Sequence, residues 1–183
     1  FSLKDLNQEK NVTLLLELAP NGSLLDILTQ NRNNRKPPTY DNTNRQLILV
    51  GICRGMKYLH DRNIVHRDLK PGNVLMNENF EPLITDFGMS KFFEIDHSDS
   101  GSQFGGTDYY MAPEVIMDSK YGRKADVYAF GILMYEVITD LIPYPEVANG
   151  NLNEFQFKLK VDSENYRPKF TKPIKESLKN LIE

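Results

Sequence analysis

Apolar residues recur along this chain at two spacings. The run "VTLLLEL" (12–18) is β-compatible and stops at Pro20-Asn21-Gly22, a strong turn signal. Ser23 then stands where a helix N-cap belongs, and a short helix is expected to about Gln30. The stretch 31–42, "NRNNRKPPTYDN", is polar, contains two prolines and reads as a surface loop. From about Thr43 to Asp61, Ile48, Ile52, Met56 and Leu59 fall at helical spacing and predict a helix with one apolar face. Gly51 and Gly55 form a GxxxG pair on it, which in a soluble helix means close packing. Ile64-Val65, Val74-Leu75-Met76 and Leu83-Ile84-Thr85 read as short strands. The stretch 94–106, "EIDHSDSGSQFGG", is polar and acidic and is expected to be mobile. A helix from about Lys124 to Thr139 is apolar on nearly every side, broken by Asp126 and Glu136, and should be central. Pro143 and Pro145 end that region. A weaker amphipathic helix is expected from about Asn153 to Leu159, and another after Pro173. There is no internal repeat and no linker.

Composition narrows the function classes. The chain has 183 residues, enough for one medium domain with a sizeable core. Its net charge of -3 supplies no basic field of the kind that draws nucleic acid, so none is expected as a partner. The one cysteine, Cys53, forbids an internal disulfide and fits a reducing compartment; on its helix it is expected to be a small packing residue. No apolar run is long enough to span a bilayer, and the first residues lack the pattern of a signal peptide, so a cytoplasmic protein with no membrane segment is expected. Asn11 and Asn21 match the glycosylation acceptor pattern by chance.

The chemistry gathers in "IVHRDLKPGNVLM" (64–76), where polar residues sit on a loop between two strands. Asp68 and Asn73 lie five apart on it, and Asp86 follows at a second strand–loop junction. A carboxylate and an amide oxygen are hard ligands of the kind Mg²⁺ takes. A second carboxylate, free of metal, can accept a proton from an attacking hydroxyl. Lys70 adds a point charge suited to a transferring phosphoryl group. Base, cation and metal clamp are the parts of phosphoryl transfer.

In order, "HRDLKPGN" (66–73), "DFG" (86–88) and "APE" (112–114) resemble the protein-kinase catalytic domain, and the resemblance runs over essentially the whole chain. It implies an α+β, protein-kinase-like fold with a mainly helical large lobe and short β-strands around the catalytic loop. It implies ATP and Mg²⁺ as cofactors and proteins with Ser or Thr as substrates. By resemblance Asp68 is the catalytic base, Lys70 the partner of the γ-phosphate, and Asn73 and Asp86 the metal ligands. Arg67 and Lys91 resemble the basic residues that receive an activation-segment phosphate, and Thr107 the threonine that bridges to the base and lysine. Ser102 is the nearest phosphosite candidate, expected to order the loop through Arg67 and Lys91. Asp126 resembles the central-helix carboxylate that holds the catalytic loop's backbone, while His66 and Phe87 resemble packing residues that align the lobes. "LLLELAPNGSL" resembles the strand and hinge that bind adenine, with Leu16 as gatekeeper, backbone groups of Glu17 and Ala19 facing the adenine edge, and Leu75 as the pocket floor. Lysine two after Asp68, followed by Pro71, is the serine/threonine pattern, and "KADVYAFGILMYEVIT" looks most like the tyrosine-kinase-like group.

The chain also departs from the family. None of its 11 glycines form GxGxxG, and there is no V-A-I-K strand. Residues 1–20 read as a remnant of the small lobe and hinge, and 21–183 as a large lobe truncated before the arginine that pairs with the glutamate of APE, here Glu114. Transfer depends almost wholly on positioning, so the 183 residues alone are expected to be inactive or barely active. The alternative expectation is a non-catalytic binding or scaffold module.

Overall fold

A computed structural model describes residues 15–35, 40–87, 91–92, 109–118, 121–171 and 173–182, with backbone alone at 91, 92 and 118. Helix α1 spans Leu24–Arg32. Ser23 caps it reciprocally: its hydroxyl accepts the Asp26 N–H at 3.2 Å, and the Asp26 carboxylate accepts the Ser23 N–H at 2.9 Å. The turn before it needs Gly22, whose φ of 68° is the left-handed region that favours glycine. Helix α2 spans Asn42–His60, with Asp41 as its N-cap, and buries Ile48, Ile52, Met56 and Leu59 as their spacing predicts. Gly51 and Gly55 let α2 lie directly on strand β3 (Pro82–Ile84). A Cβ built on Gly51 would stand 2.5 Å from Pro82 Cγ, and one on Gly55 2.6 Å from Ile84 Cδ1.

Strand β1 is Ile64–Val65, β2 is Val74–Met76 and β4 is Lys91–Phe92. They form two antiparallel pairs. β2 lies on β3 with Val74 opposite Ile84, and β1 lies on β4 with Val65 opposite Lys91. Helices α3 (Pro113–Asp118), α4 (Arg123–Thr139), α5 (Pro145–Ala148), α6 (Glu154–Ser163) and α7 (Glu176–Ile182) follow. The architecture is α+β, helix-rich with short strands, as expected. Among the described residues no helix is long and apolar enough to cross a membrane.

Helix α4 is the centre. Its Ala129, Leu133, Met134 and Val137 pack with α1, α2 and β2 in the main core. Its Ile132 joins Tyr144, Phe157 and Val161 in a second cluster, and its Ala125 joins Ala112 and Val115 in a third. The two acidic residues that interrupt its apolar pattern are both buried, and both are paired. Glu136 receives Arg32 Nη2 at 2.5 Å and the Tyr110 hydroxyl, which ties α1 to the segment before α3. Arg45 Nη2 meets Asp140 Oδ2 at 2.5 Å just past the end of α4.

Four sequence expectations change. Cys53 is on α2 but exposed, because it falls about 100° round the helix from Ile52, beyond the buried arc. Tyr40, within the stretch read as surface loop, is 2% exposed; its hydroxyl donates to Val137 O and Arg45 lies 4.5 Å over its ring. Of the β-compatible run 12–18, residues 15–18 form no strand and pair with nothing among the described residues, while 12–14 lie outside them. Pro145 opens α5 instead of only ending what precedes it; the missing N–H of proline costs nothing at a first helical position. The span 94–106 lies outside the described residues.

Two outcomes follow from this packing. Gly51→Ala forces α2 off Pro82 and is expected to destabilise the domain by about 1–3 kcal/mol, read as a shift of the urea midpoint. An unshifted midpoint would contradict the close approach. Burial raises the phenols of Tyr40 and Tyr144 well above their ordinary value, and burial together with the Glu136 carboxylate does the same to Tyr110. Tyr166 is pushed up to about 12, by burial and then by its bond to Glu146. A raised folded pKa contributes stability that is complete below the unfolded value near 10 and is lost as pH rises above it. Alkaline unfolding is therefore expected above about pH 10, with ellipticity and tyrosinate absorbance changing together. The chain's 9 tyrosines and absence of tryptophan make that absorbance clean. Full ionisation of the tyrosines with native ellipticity intact would refute it.

Candidate functional site

The polar loop between β1 and β2 is held first by its backbone. Arg67 adopts a φ of 74°, a left-handed conformation that a non-glycine residue keeps only when its surroundings impose it. Asp126, in the first turn of α4 and 2% exposed, imposes it here: Oδ2 accepts the His66 N–H and Oδ1 the Arg67 N–H, each at 2.9 Å. His60, the last residue of α2, places Nε2 2.8 Å from the same Oδ2.

His66 is fully buried and braces the loop from within. Its Nε2 lies 3.0 Å from Thr85 O, and its Nδ1 accepts the Asp68 N–H at 3.3 Å. A carbonyl on one nitrogen and an amide on the other require the Nε2–H tautomer. The Phe87 ring lies 5.4 Å from the His66 ring by centroid and is half exposed, so this apolar contact is covered on one side only.

Asp68 is the meeting point of the polar side chains. Lys70 Nζ donates to its two carboxylate oxygens at 2.9 and 2.7 Å. Asn73 Nδ2 donates to Oδ2 at 2.8 Å and to the Asp68 carbonyl at 2.7 Å. The Asp68 side chain is 25% exposed and that of Lys70 41%, so the pair contributes little stability but fixes a carboxylate at the surface of the fold. Pro71–Asn73 form one 3-10 turn, which buries Asn73 and starts β2. Beyond the Val74–Ile84 pair, the Thr85 N–H donates to Asn73 O at 3.0 Å, and Asp86 follows with a φ of 62°. The β2–β3 ladder thus brings Asn73 and Asp86 to one end of a hairpin, although 13 positions separate them in the sequence.

The donor set at that end is one amide oxygen and one carboxylate. Asn73 donates through its nitrogen, leaving its oxygen as the ligand atom it offers. No group of three or more His, Cys, Asp or Glu capable of holding a metal occurs among the described residues. Such a sparse set of oxygens fits Mg²⁺, which keeps several waters and takes further ligands from phosphate.

The other predicted residues are placed less tightly. Asn21 N–H donates to Met76 O at 3.2 Å and Met76 N–H to Gly22 O at 2.9 Å, which lays the turn after residues 15–19 along β2 beside Leu75. Leu75 and Ala19 are half-buried, Glu17 is exposed and Leu16 is 69% exposed. Arg67 lies 5.0 Å over the Tyr121 ring. Lys91 pairs through its backbone with Val65, two residues before Arg67. Ser102 and Thr107 lie outside the described residues. Sequence reasoning missed His60 and the Arg32–Glu136–Tyr110 cluster. Their partners are 66, 104 and 26 positions apart, and no local pattern marks them.

Known proteins resemble this chain over most of its length. The family model described as protein kinase domain matches residues 3–183. The chain is 43% identical over 138 residues to a cysteine-rich receptor-like protein kinase 6 of Oryza sativa subsp. japonica, covering 73% of this chain and 19% of that one. It is 34% identical over 175 residues to the serine/threonine-protein kinase STY46 of Arabidopsis thaliana, covering 94% of this chain and 28% of that one. It is also 34% identical to the RGS domain-containing serine/threonine-protein kinase A of Dictyostelium discoideum, over 92% of this chain and 14% of that one. The chain thus spans less than a third of the length of these relatives. With its Asp68–Lys70–Asn73 cluster and the backbone grip of Asp126, this chain belongs to the protein kinase domain family.

Proposed function

We propose that this domain transfers the γ-phosphate of ATP to serine or threonine hydroxyls of proteins. The observation that carries the reading is the Asp68 carboxylate, clamped by Lys70 and Asn73 on a loop whose backbone is itself fixed by Asp126. Asp68 orients the substrate hydroxyl and accepts its proton. Lys70, on a short leash to Asp68, swings to the transferring phosphoryl group as charge builds there. Asn73 and Asp86 hold Mg²⁺, which when bound neutralises and orients the phosphates. Glu17 and Ala19 meet the adenine edge through their backbones, with Leu16 and Leu75 against its faces. Arg67 and Lys91 receive a phosphate on Ser102, and Thr107 bridges to Asp68 and Lys70. In this reading residues 21–183 are the large lobe and 1–20 the hinge side of the small one. The Lys70-Pro71 pair and the serine/threonine-protein kinases among the relatives favour Ser/Thr over Tyr. A cytoplasmic location follows from the need for ATP and from the lone Cys53.

The exposure of Leu16 and Glu17, on the segment this reading gives to adenine, favours a second reading, a kinase-like module that binds partners without catalysis. One comparison separates the two. In the full-length protein, Asp68→Asn is expected to lower phosphotransfer to a generic protein substrate by about 10²–10⁴-fold with an unchanged thermal midpoint. Phosphoamino-acid analysis should recover phosphoserine and phosphothreonine. Undiminished transfer by the variant would overturn the role of Asp68, and a wild-type protein without any transfer would favour the module.

A further inference from the structure

We propose that the outward face of α2 is a docking surface for an acidic, amphipathic segment of a partner protein. From Asn42 to His60 the helix carries no acidic residue, in a chain whose net charge is -3. Its buried arc serves the main core, yet Leu47, Val50 and Tyr58, on the opposite side, are 61%, 45% and 56% exposed. Apolar residues exposed together on one face and rimmed by charge mark an interaction site. Arg54 is exposed on the same face, one turn after Val50 and one turn before Tyr58. Arg62, just past the helix, folds back: its guanidinium stands 3.5 Å over the Tyr58 ring, and its Nη1 donates to Tyr58 O at 3.3 Å. That stack fixes a tyrosine and a cation, two residue types that anchor interfaces, before any partner arrives.

Further cations gather at the end of this face. Lys57 Nζ meets Asp61 Oδ2 at 2.6 Å, and Arg123, the first residue of α4, donates to Asn63 Oδ1 in the turn after α2. The Asp61 carboxyl is held below its ordinary value, first by its bond to Lys57 and then by the charges of Lys57, Arg62 and Arg123. The carboxylate at this end thus already sits among three cations, and Arg54 adds a fourth. Such a surface calls for negative charge, and its Leu47, Val50 and Tyr58 call for apolar side chains in the same stretch. An amphipathic helix with carboxylates beside its apolar stripe supplies both. Leu47 to Tyr58 spans about 17 Å, which is about three turns of such a helix. Other occupants fit worse. A second copy, docked face to face, would set the same cations against one another. Nucleic acid offers phosphates but nothing to the aliphatic side chains. A bilayer that took in Val50 and Tyr58 would have to take in Arg54 between them.

The test titrates the full-length protein into a fluorescein-labelled helical peptide, with leucines at i, i+3 and i+7 and glutamates between them, and reads anisotropy. Saturable binding is expected, weakened about tenfold when salt rises from about 50 to about 300 mM. Leu47→Ser and Arg54→Glu, both at exposed positions, are each expected to weaken it about five- to tenfold with an unchanged thermal midpoint. A peptide with serine for every leucine should bind at least about tenfold more weakly, because charge alone does not satisfy the face. Absence of binding by the wild-type protein, equal binding of the serine peptide, or wild-type affinity in both variants would overturn the proposal. So would tighter binding to phosphatidylserine vesicles or to a single-stranded oligonucleotide, or self-association that Arg54→Glu abolishes.

Discussion

One buried carboxylate carries the geometry of this domain. Asp126 holds two consecutive amides of the polar loop, one on each oxygen, and meets His60 on the far side. Burying a charge costs several kcal/mol unless donors replace its hydration. The donors here come from the loop and from the end of α2, so the pieces that satisfy the charge are the pieces whose relative position matters. Removing Asp126 from the fold would free the strained Arg67 and, through His66, the backbone of Asp68.

The same logic is repeated at the other end of α4. Glu136 is buried between Arg32 of α1 and Tyr110 of the segment before α3. Between the two acids the helix is packed on nearly every side, touching three apolar clusters. Close packing makes α4 a stiff reference, and the acids at its two ends export that stiffness to segments with little regular structure of their own. This division of labour suits a site made of loops. Strands of two or three residues cannot orient a catalytic group alone, yet β2 and β3 do align Asn73 with Asp86 because they pair with each other and β3 lies on α2 at Gly51 and Gly55.

Membership of the protein kinase domain family gives the cluster a context. The side chains in direct contact, Asp68, Lys70 and Asn73, are those whose chemistry suits proton and phosphoryl transfer. The segment proposed to meet adenine is looser: Leu16 and Glu17 are exposed, and among the described residues the turn at 20–23 is what fastens it to β2. Position around Asp68 is thus set within the described residues to a degree that position around Leu16 and Glu17 is not.

Much of the scaffold was legible because its signals are local. Helical spacing of Ile48, Ile52, Met56 and Leu59, the Ser23 cap, the GxxxG pair and the saturated apolar pattern of α4 each depend on residues within a few positions of one another. The loop chemistry was legible for the same reason, since Asp68, Lys70 and Asn73 lie within one turn of chain. What failed, failed where a side chain's fate depends on something remote. Tyr40 looked like loop and is buried under α4; Cys53 looked like packing and faces outward; residues 15–18 looked like a strand and have no partner among the described residues. The sequence by itself determined where the longer helices form and which residues can do chemistry. Only the tertiary structure decided that His60 would meet Asp126, that Arg32 and Tyr110 would share Glu136, and that Asn73 would stand beside Asp86. Those encounters join elements 13 to 104 positions apart, and the desolvation of a buried charge, which no local pattern expresses, decides which partners it must have.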